Sequence, residues 1–197
     1  MKRILILIMF VLCACGKISS TPINSPQIIP AGVEQESIPD LLANLQKPDC
    51  TSGLTPSDVE GPYYKANTPE RTSLYEEGMQ GKKLILLGFV TNIDCFPMPG
   101  VWLDFWQANA KGEYDNEGYT LRGHQFSDNK GRYYIETIMP GLYPQRPIEH
   151  IHVKLQAPNG EMFTAQLYFP DKPIVGLTVD LQDQGDYYLG IFNFVIP

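Results

Sequence analysis

Residues 150–156 alternate between side chains that suit a pocket and side chains that suit a hydrophobic core. In a β-strand, residues two apart project from the same face, so we expect His150 and His152 to point in one direction. Ile151 and Val153 then face the opposite side. Because imidazole binds zinc, copper, iron and nickel alike, the pair predicts a metal site without identifying the metal.

Two kinds of side chain are candidates for the remaining ligands of such an ion. His124 is the only other histidine, so a site built from histidine alone has to include it. Tyr143 precedes His150 in a Pro- and Gly-rich turn. Tyr114 lies further upstream, after a Gly-Glu pair. A phenol titrates near pH ~10, so only a strongly Lewis-acidic ion such as ferric iron holds it as phenolate at neutral pH.

The chain after residue 82 has the pattern of short strands separated by turn residues. Apolar or alternating runs predict strands at 84–90, 101–107, 131–137, 150–156, 163–169 and 187–195. The run 128–131 is typical of a hairpin turn, and the apolar spacing of 38–45 predicts a short helix. The sequence therefore predicts an all-β chain, a β-sandwich with a short N-terminal helical segment.

Length and charge limit the number of domains and the class of partner. A chain of 197 residues suits one domain with an ordinary core. The formal charge of -7 argues against a nucleic-acid partner, because phosphate neutralisation requires a basic face that is not visible in this sequence.

The N-terminus has the composition of a secretory signal. Lys2 and Arg3 precede an apolar run too short to span a bilayer, and the Leu-Cys-Ala-Cys that ends at Cys15 resembles a bacterial lipobox. We expect a lipoprotein signal peptide at 1–14, export of the chain, and an outer-membrane anchor through lipid on Cys15. An ordinary cleaved signal without lipid and a stable signal anchor are the alternatives.

The rest of the chain divides into a tether and a folded domain. We interpret residues 15–48 as a Ser- and Pro-rich tether with the short helix, and residues 49–197 as the β-sandwich domain. If Cys15 carries lipid, Cys50 and Cys95 remain as an even pair in an oxidising compartment. A disulfide is then the expected state, and two buried free thiols are the alternative.

Five segments that carry the tyrosines and histidines occur in a fixed order. They read LDFWQANAKGEY at 103–114, RGHQFSDNKGRY at 122–133, TIMPGLY at 137–143, HIH at 150–152 and QLYF at 166–169. Together they resemble the intradiol ring-cleavage dioxygenases, the non-haem ferric enzymes that open catechols between the two hydroxyls. One segment alone is a weak signal, whereas five in the order of the family make a specific match.

The resemblance implies a fold, a cofactor and a reaction. The fold is a prealbumin-like β-sandwich, and the implied ligands of Fe(III) are Tyr114, Tyr143, His150 and His152. Tyr143 is expected to leave the metal when the substrate binds, and Arg146 and Gln166 are expected to stabilise negative charge on it. The implied reaction consumes a catechol-type substrate and O2 and yields a cis,cis-muconate-type diacid without an organic cofactor.

Arg146 departs from the pattern of the family. It lies four residues before His150, whereas the arginine of the family lies three before the first histidine. A shift of one residue within an extended segment reverses the direction of a side chain unless an irregularity such as a bulge corrects it. The neighbouring Glu149 is expected to face solvent.

Four further side chains near these segments are assigned no ligand role. Trp106 is expected to pack against the wall of the site, and His124 is expected at the surface or behind the ligands. Tyr63 and Tyr64 are weak pocket candidates, and plain packing against the sandwich is the favoured interpretation for each.

Two other functions remain open on the sequence alone. One is a membrane-anchored β-sandwich binding module for aromatic or polysaccharide ligands with little or no turnover. The other is different chemistry on the same ligands, for example with zinc or copper. The sequence carries no prediction of the oligomeric state or of the particular catechol.

Overall fold

The structure, a computed structural model, describes residues 36–144 and 146–197. The predicted signal peptide and Cys15 lie outside these residues. Residues 36–197 form one unit. In the described ranges, no helix is long and apolar enough to cross a bilayer.

The described residues form one short helix and nine strands in two sheets. The elements are α1 Ile38–Asn44, β1 Lys83–Asn92, β2 Trp102–Trp106, β3 Arg122–Phe126, β4 Arg132–Ile138, β5 His150–Gln156, β6 Met162–Tyr168, β7 Asp180–Asp183, β8 Tyr187–Ile191 and β9 Phe194–Ile196. The back sheet has the order β4-β1-β8-β7, with β9 also paired to β1, and the histidine sheet has the order β3-β2-β5-β6. The predicted all-β sandwich is confirmed.

The core lies between the two sheets and consists of alternate residues of their strands. On the histidine sheet, Leu103, Phe105, Ile151 and Val153 are fully buried in this core. Each such side chain stabilises the fold by about 1.5–3 kcal/mol relative to an exposed one. The inward direction predicted for Ile151 and Val153 is confirmed, and the opposite face of β5 is left to the histidines.

The helix explains why β1 reads as a continuous apolar run. Its first turn is capped by Ser37, whose hydroxyl accepts a hydrogen bond from the backbone of Asp40. Its buried residue, Leu41, packs on Ile85 and Leu87, which face away from the sandwich core. Because β1 is covered on both sides, it needs apolar residues at successive positions rather than alternate ones.

The C-terminal run predicted as one strand at 187–195 is two strands, β8 and β9. The break falls at Phe192 and Asn193, where the chain crosses closely over β1. A Cβ at Gly88 would lie 1.7 Å from the Phe192 carbonyl oxygen, so only glycine permits this crossing. The Asn193 side chain takes over as the partner of the Phe89 amide.

Two strands, β3 and β7, are absent from the sequence prediction. β3 reads Arg-Gly-His-Gln-Phe and β7 reads Asp-Leu-Gln-Asp, neither of which has the β-branched and aromatic enrichment of a strand. Both lie at the edges of their sheets. Pairing with a neighbouring strand, not intrinsic propensity, makes them strands.

The turn predicted at 128–131 forms, but the hairpin does not. The Gly131 amide donates to the Asp128 carbonyl at 2.9 Å, and Gly131 has φ +72°. However, this turn joins β3 of the histidine sheet to β4 of the back sheet. The strands on either side pair with β2 and β1, so the connection crosses between layers instead of closing a hairpin.

The expected disulfide between Cys50 and Cys95 is present, with the two Cα atoms 5.7 Å apart. It closes a sequence separation of 45 residues. In the chain-entropy account such a loop stabilises the fold by about 3–4 kcal/mol. The disulfide ties the segment after the helix to the loop after β1.

Candidate metal centre

The histidine pair lies on the outer face of the histidine sheet. His150 and His152 are 3% and 2% exposed, and their Nε2 atoms lie 3.1 Å apart. Across β5, Trp106 of β2 and Gln166 of β6 are the neighbours in register with His152. The alternation of the sequence therefore places both imidazoles on one face, as predicted.

The surroundings of the two rings differ, and their Nε2 atoms face each other. His150 Nδ1 lies 2.7 Å from the Ile148 carbonyl oxygen. Because a carbonyl oxygen can only accept a hydrogen bond, Nδ1 carries the proton and the lone pair of the neutral ring is on Nε2. The His152 ring stacks on Trp106 with centroids 4.8 Å apart and planes 7° apart. Within the described residues, His152 Nδ1 is buried without a hydrogen-bond partner.

Two tyrosines on separate loops complete the group. Tyr114 follows β2, and its hydroxyl oxygen lies 3.5 Å from His150 Nε2. Tyr143 lies between β4 and β5, with its ring centroid 5.9 Å from those of Tyr114 and His150. The structure thus brings together all four side chains predicted as ligands. Their binding of iron stays a prediction.

Two glycines allow the tyrosine loops to meet. A Cβ at Gly112 would lie 2.0 Å from the Leu142 carbonyl oxygen, and one at Gly141 would lie 2.3 Å from the Ala110 carbonyl oxygen. The Gly141 amide also donates to the Asn109 carbonyl at 2.8 Å. The glycines of Gly-Glu-Tyr and Pro-Gly-Leu-Tyr therefore serve close backbone contact, which sets where the two phenols lie.

Burial controls the charge of the group when no cation is present. Burial raises the pKa of Tyr114, and the neighbouring Tyr143 raises it further. Burial also lowers the pKa of His150, and it lowers the pKa of His152 to about 2, with the charge of His150 as the next cause. The four side chains are then neutral at pH 7, with two lone pairs and two phenolic protons.

This donor set fits ferric iron. Neutral imidazoles are the form that binds a metal, and a trivalent cation would favour phenolates over the phenols that burial alone favours. The two tyrosines distinguish the group from sites of His, Cys, Asp and Glu alone, none of which occurs in the described part of the chain.

A tight turn corrects the shifted position of Arg146. The Ile148 amide donates to the Arg146 carbonyl at 2.8 Å, which closes a three-residue turn around Pro147. The fixed φ of proline suits the centre of such a turn. The turn absorbs the extra residue, and Arg146 Nη2 donates to the Tyr168 hydroxyl at 2.5 Å. Tyr168 is directly opposite His150 on β6, so the guanidinium lies beside the centre.

Gln166 is fully buried beside the centre, and its amide is directed at the chain that covers the sheet. Its Nε2 donates to the Val59 carbonyl at 2.6 Å, and its Oε1 lies 3.2 Å from the Tyr168 hydroxyl. In this arrangement Gln166 holds Val59 in place. Its predicted role toward substrate charge is not tested by these contacts.

Residues 58–64, which we call the strap, cross the outer face of the histidine sheet and touch the ligands. Tyr63 stacks on Tyr114 with centroids 4.3 Å apart and planes 13° apart. A Cβ at Gly61 would lie 3.3 Å from His152 Cε1. The buried Arg122 donates to the Tyr63 carbonyl at 2.6 Å. Sequence reasoning expected Tyr63 to pack, but missed that it packs on a predicted ligand.

The remaining expectations have mixed outcomes. Trp106 lies against the site wall as expected, through its stack on His152. His124 is apart from the histidine pair and lies 3.1 Å from the Thr68 hydroxyl. Glu149 is partly exposed, so the expectation that it faces solvent is met in part, and burial raises the pKa of its carboxyl.

Comparison with known proteins identifies a family for most of the sandwich. Residues 59–182 match the family model described as Dioxygenase. Catechol 1,2-dioxygenase of Acinetobacter baylyi is 27% identical over 67% of this chain and 55% of its own length. Hydroxyquinol 1,2-dioxygenase of a Rhizobium species is 27% identical over 67% of this chain and 52% of its own. The chain spans about half the length of these curated relatives.

Solved structures agree with this match. The dioxygenase domain of a dioxygenase carbohydrate-binding protein fusion from Streptomyces sp. SirexAA-E is 43% identical, with a TM-score of 0.69 over 73% of this chain and 97% of that domain. The 3-chlorocatechol 1,2-dioxygenase of Rhodococcus opacus 1CP is 25% identical, with a TM-score of 0.64 over 71% of each chain. The chain therefore belongs to the intradiol ring-cleavage dioxygenase family.

Proposed function

We propose that this protein is a non-haem Fe(III) dioxygenase that cleaves a catechol-type ring between its two hydroxyls and yields a cis,cis-muconate-type diacid. The observation that carries the proposal is the convergence of two phenols and two imidazoles on one point, in a chain of this family. The ligands would be Tyr114, Tyr143, His150 and His152. Bound iron would supply a Lewis acid and a template that draws electron density from the ring.

The surroundings of the two tyrosines suit them to different tasks. Tyr114 is clamped by the parallel stack with Tyr63. Tyr143 follows Leu142, which is half exposed, and meets Tyr63 only by an edge contact at 6.1 Å. Burial raises the pKa of both phenols, so it is the looser packing of Tyr143 that suits it to move and accept a catechol proton. We assign Tyr114 to hold position and Tyr143 to accept the proton.

Arg146 supplies a fixed positive charge beside the centre. A catechol that has lost both protons is a dianion, and the guanidinium favours that form over the neutral one. A donor placed where charge develops is typically worth about 3–4 kcal/mol in the transition state. The strap, held by Gln166 through Val59, covers the centre from the solvent side.

Spectroscopy and oxygen uptake test the proposal together. The purified protein is loaded with iron, its visible spectrum is recorded, and a panel of catechols is assayed for oxygen consumption and ring-opened product. We expect a tyrosinate-to-iron charge-transfer band and one O2 consumed per catechol. A coloured protein that consumes no oxygen with any catechol would indicate a binding module. A protein that lacks the tyrosinate-to-iron band and is active with zinc or copper would indicate different metal chemistry.

We also propose that the chain is exported and anchored to the outer membrane through lipid on Cys15. The lipobox-like sequence supports this, and so does the Cys50–Cys95 disulfide, which is a bond of oxidising compartments. The Cys15→Ser substitution is expected to release the protein from the membrane pellet, whereas the matched Cys13→Ser control stays in the pellet. Membrane fractionation of both variants and the wild type measures this. Equal distribution of both variants and the wild type would contradict the anchor.

A further inference from the structure

Tyr168 is a buried phenol that joins the strap to Arg146. Its hydroxyl donates to Asp58 Oδ2 at 2.6 Å and accepts from Arg146 Nη2 at 2.5 Å. The residue is 2% exposed, and its ring centroid lies 6.2 Å from that of His150. A phenol has one proton to donate, and the 2.6 Å contact with the carboxylate uses it, which leaves the oxygen to accept from the guanidinium.

The carboxylate of Asp58 is itself held at a defined position on the sheet. The Asp58 amide donates to the Thr164 carbonyl of β6 at 2.9 Å. One residue later, Gln166 binds the Val59 carbonyl. The strap is thus fixed to β6 on both sides of the aspartate, and Tyr168 is on the same strand. The series of hydrogen bonds from Asp58 through Tyr168 to Arg146 is therefore anchored to β6 at Asp58.

An indirect link between the carboxylate and the guanidinium has a chemical advantage over a direct ion pair. A bidentate Asp–Arg pair would use two of the five N–H donors of the arginine and neutralise its charge at contact. Through the phenol, Asp58 restrains Arg146 by a single N–H. The other donors and most of the positive charge remain available to a bound substrate.

The hydrogen bond from Arg146 to Tyr168 also matters because of where Arg146 lies in this sequence. The extra residue before His150 is absorbed by the turn at Pro147, which places Arg146 in a short irregular loop rather than on the strand. A long side chain on such a loop loses its orientation unless something fixes its end. We propose that Asp58 and Tyr168 are positioning residues that hold the Arg146 guanidinium beside the metal centre, an inference that rests on the proposed dioxygenase function.

The decisive variant is Tyr168→Phe, studied with and without Arg146→Ala. In the wild-type background it is expected to lower kcat/KM for catechol by about 10- to 100-fold, as a displaced catalytic group does. In the Arg146→Ala background it is expected to change kcat/KM by less than about twofold, because the group that it positions is gone. A similar loss in both backgrounds would show that Tyr168 acts structurally and would overturn the proposal.

Tyr133→Phe is the matched control. Tyr133 is also buried, and its hydroxyl donates to the Phe192 carbonyl at 2.9 Å, on the back sheet rather than on the histidine sheet that carries the strap. It is expected to leave kcat/KM unchanged in both backgrounds. Its loss of one buried hydrogen bond lowers the melting temperature, which separates general destabilisation from loss of position.

Two variants of Asp58 test its part in this series of hydrogen bonds. Asp58→Asn keeps an oxygen that accepts the phenol proton, and is expected to lose at most about threefold in kcat/KM. Asp58→Ala leaves the phenol only the longer contact with Gln166 Oε1, at 3.2 Å, and is expected to lose about tenfold. Equal activity of Asp58→Ala and the wild type would remove Asp58 from the proposal.

A measurement on the metal-free protein separates the positioning from the reaction. Phenylglyoxal labelling of Arg146, followed by peptide mass, is expected to be at least about threefold faster in Tyr168→Phe than in the wild type or Tyr133→Phe, because a released side chain samples solvent more often. Equal labelling rates would overturn the restraint. If the iron-loaded wild type consumes no oxygen, the proposed function fails, and the labelling still decides whether Tyr168 holds Arg146.

Discussion

The outer face of the histidine sheet carries two buried polar groups that differ in how their hydrogen bonds are satisfied. One is the candidate metal centre of Tyr114, Tyr143, His150 and His152. The other, which we call the Asp104 cluster, consists of Asp104, Thr68, Tyr64 and His124. Both contain histidine and tyrosine, and both involve contacts with the segment 58–75 that crosses the sheet. Only one of them has the features of a binding site.

The Asp104 cluster is internally complete. Thr68 donates to one carboxylate oxygen of Asp104 at 2.7 Å, and Tyr64 donates to the other at 3.3 Å. Since the Thr68 proton is used, His124 Nδ1 donates to the Thr68 oxygen at 3.1 Å. Burial raises the pKa of Asp104, and the hydrogen bond from Thr68 and the charge of His124 oppose that rise.

The metal centre is incomplete in the same terms. His152 Nδ1 has no partner in the described chain, and the two Nε2 atoms face each other at 3.1 Å. Buried polar atoms are nearly always paired, and two facing Nε2 atoms can share at most one proton, so this unpaired His152 Nδ1 and the Nε2 lone pair of His150 mark a place for a cation. The comparison teaches that residue type does not separate a structural cluster from a site, whereas hydrogen-bond satisfaction does.

Replacing one histidine of each group by alanine gives the largest expected difference in iron affinity. His152→Ala is expected to lower iron affinity by more than about 100-fold, because even the neighbours of metal ligands cost 10- to 100-fold when replaced. His124→Ala removes the remaining histidine and is expected to keep iron and oxygen uptake. Iron analysis after gel filtration measures both. Iron loss in His124→Ala to the level of His152→Ala would break the distinction.

Removing the carboxylate of the Asp104 cluster should affect stability alone. Asp104→Ala leaves the hydroxyls of Thr68 and Tyr64 without their buried acceptor, which costs about 1–3 kcal/mol of unfolding free energy. The metal ligands are untouched, so the visible spectrum of the iron-loaded protein is expected to stay the same. Urea unfolding and the spectrum test the two parts separately, and a changed spectrum would couple the cluster to the centre.

Two glycines between the helix and β1 distinguish backbone strain from pressure on a predicted ligand. Gly61 and Gly53 have φ +73° and φ +75°, but only a Cβ at Gly61 would touch His152, and a Cβ at Gly53 would meet nothing within 4 Å. Either change to Ala is expected to cost about 1–2 kcal/mol for the left-handed conformation. Only Gly61→Ala is expected to weaken iron binding. Identical iron titrations of the two variants would contradict the close fit of the strap to His152.

The acid stability of the metal-free protein gives the smallest expected effect. The pKa of His152 is about 2 in the folded protein against 6.5 for the ordinary group, so below pH 6.5 the unfolded chain binds more protons. The free energy of unfolding should therefore fall by about 1 kcal/mol per pH unit between pH 6 and 5. His152→Phe keeps the aromatic stack and should reduce that slope. Parallel slopes for the two proteins would contradict a buried neutral His152.

Much of the fold was predictable because its signals are local. Alternation along β5 predicts which side chains face the core, and the long apolar run of β1 predicts a buried strand. β3 and β7 were missed because edge strands of polar residues are strands only through their partners. The hairpin at 128–131 was wrong for the same reason, since a turn sequence does not say in which sheet its two strands lie.

The sequence by itself determined the sandwich, the shared face of His150 and His152, and the cysteine pair, because strand period and residue chemistry act over a few neighbours. Its ordered motifs also selected Tyr114 and Tyr143 by resemblance. Only the tertiary structure decided that both phenols reach the imidazoles, through glycine contacts between two loops. It also decided the direction of Arg146 and the place of the strap, because these depend on contacts between segments far apart in the chain.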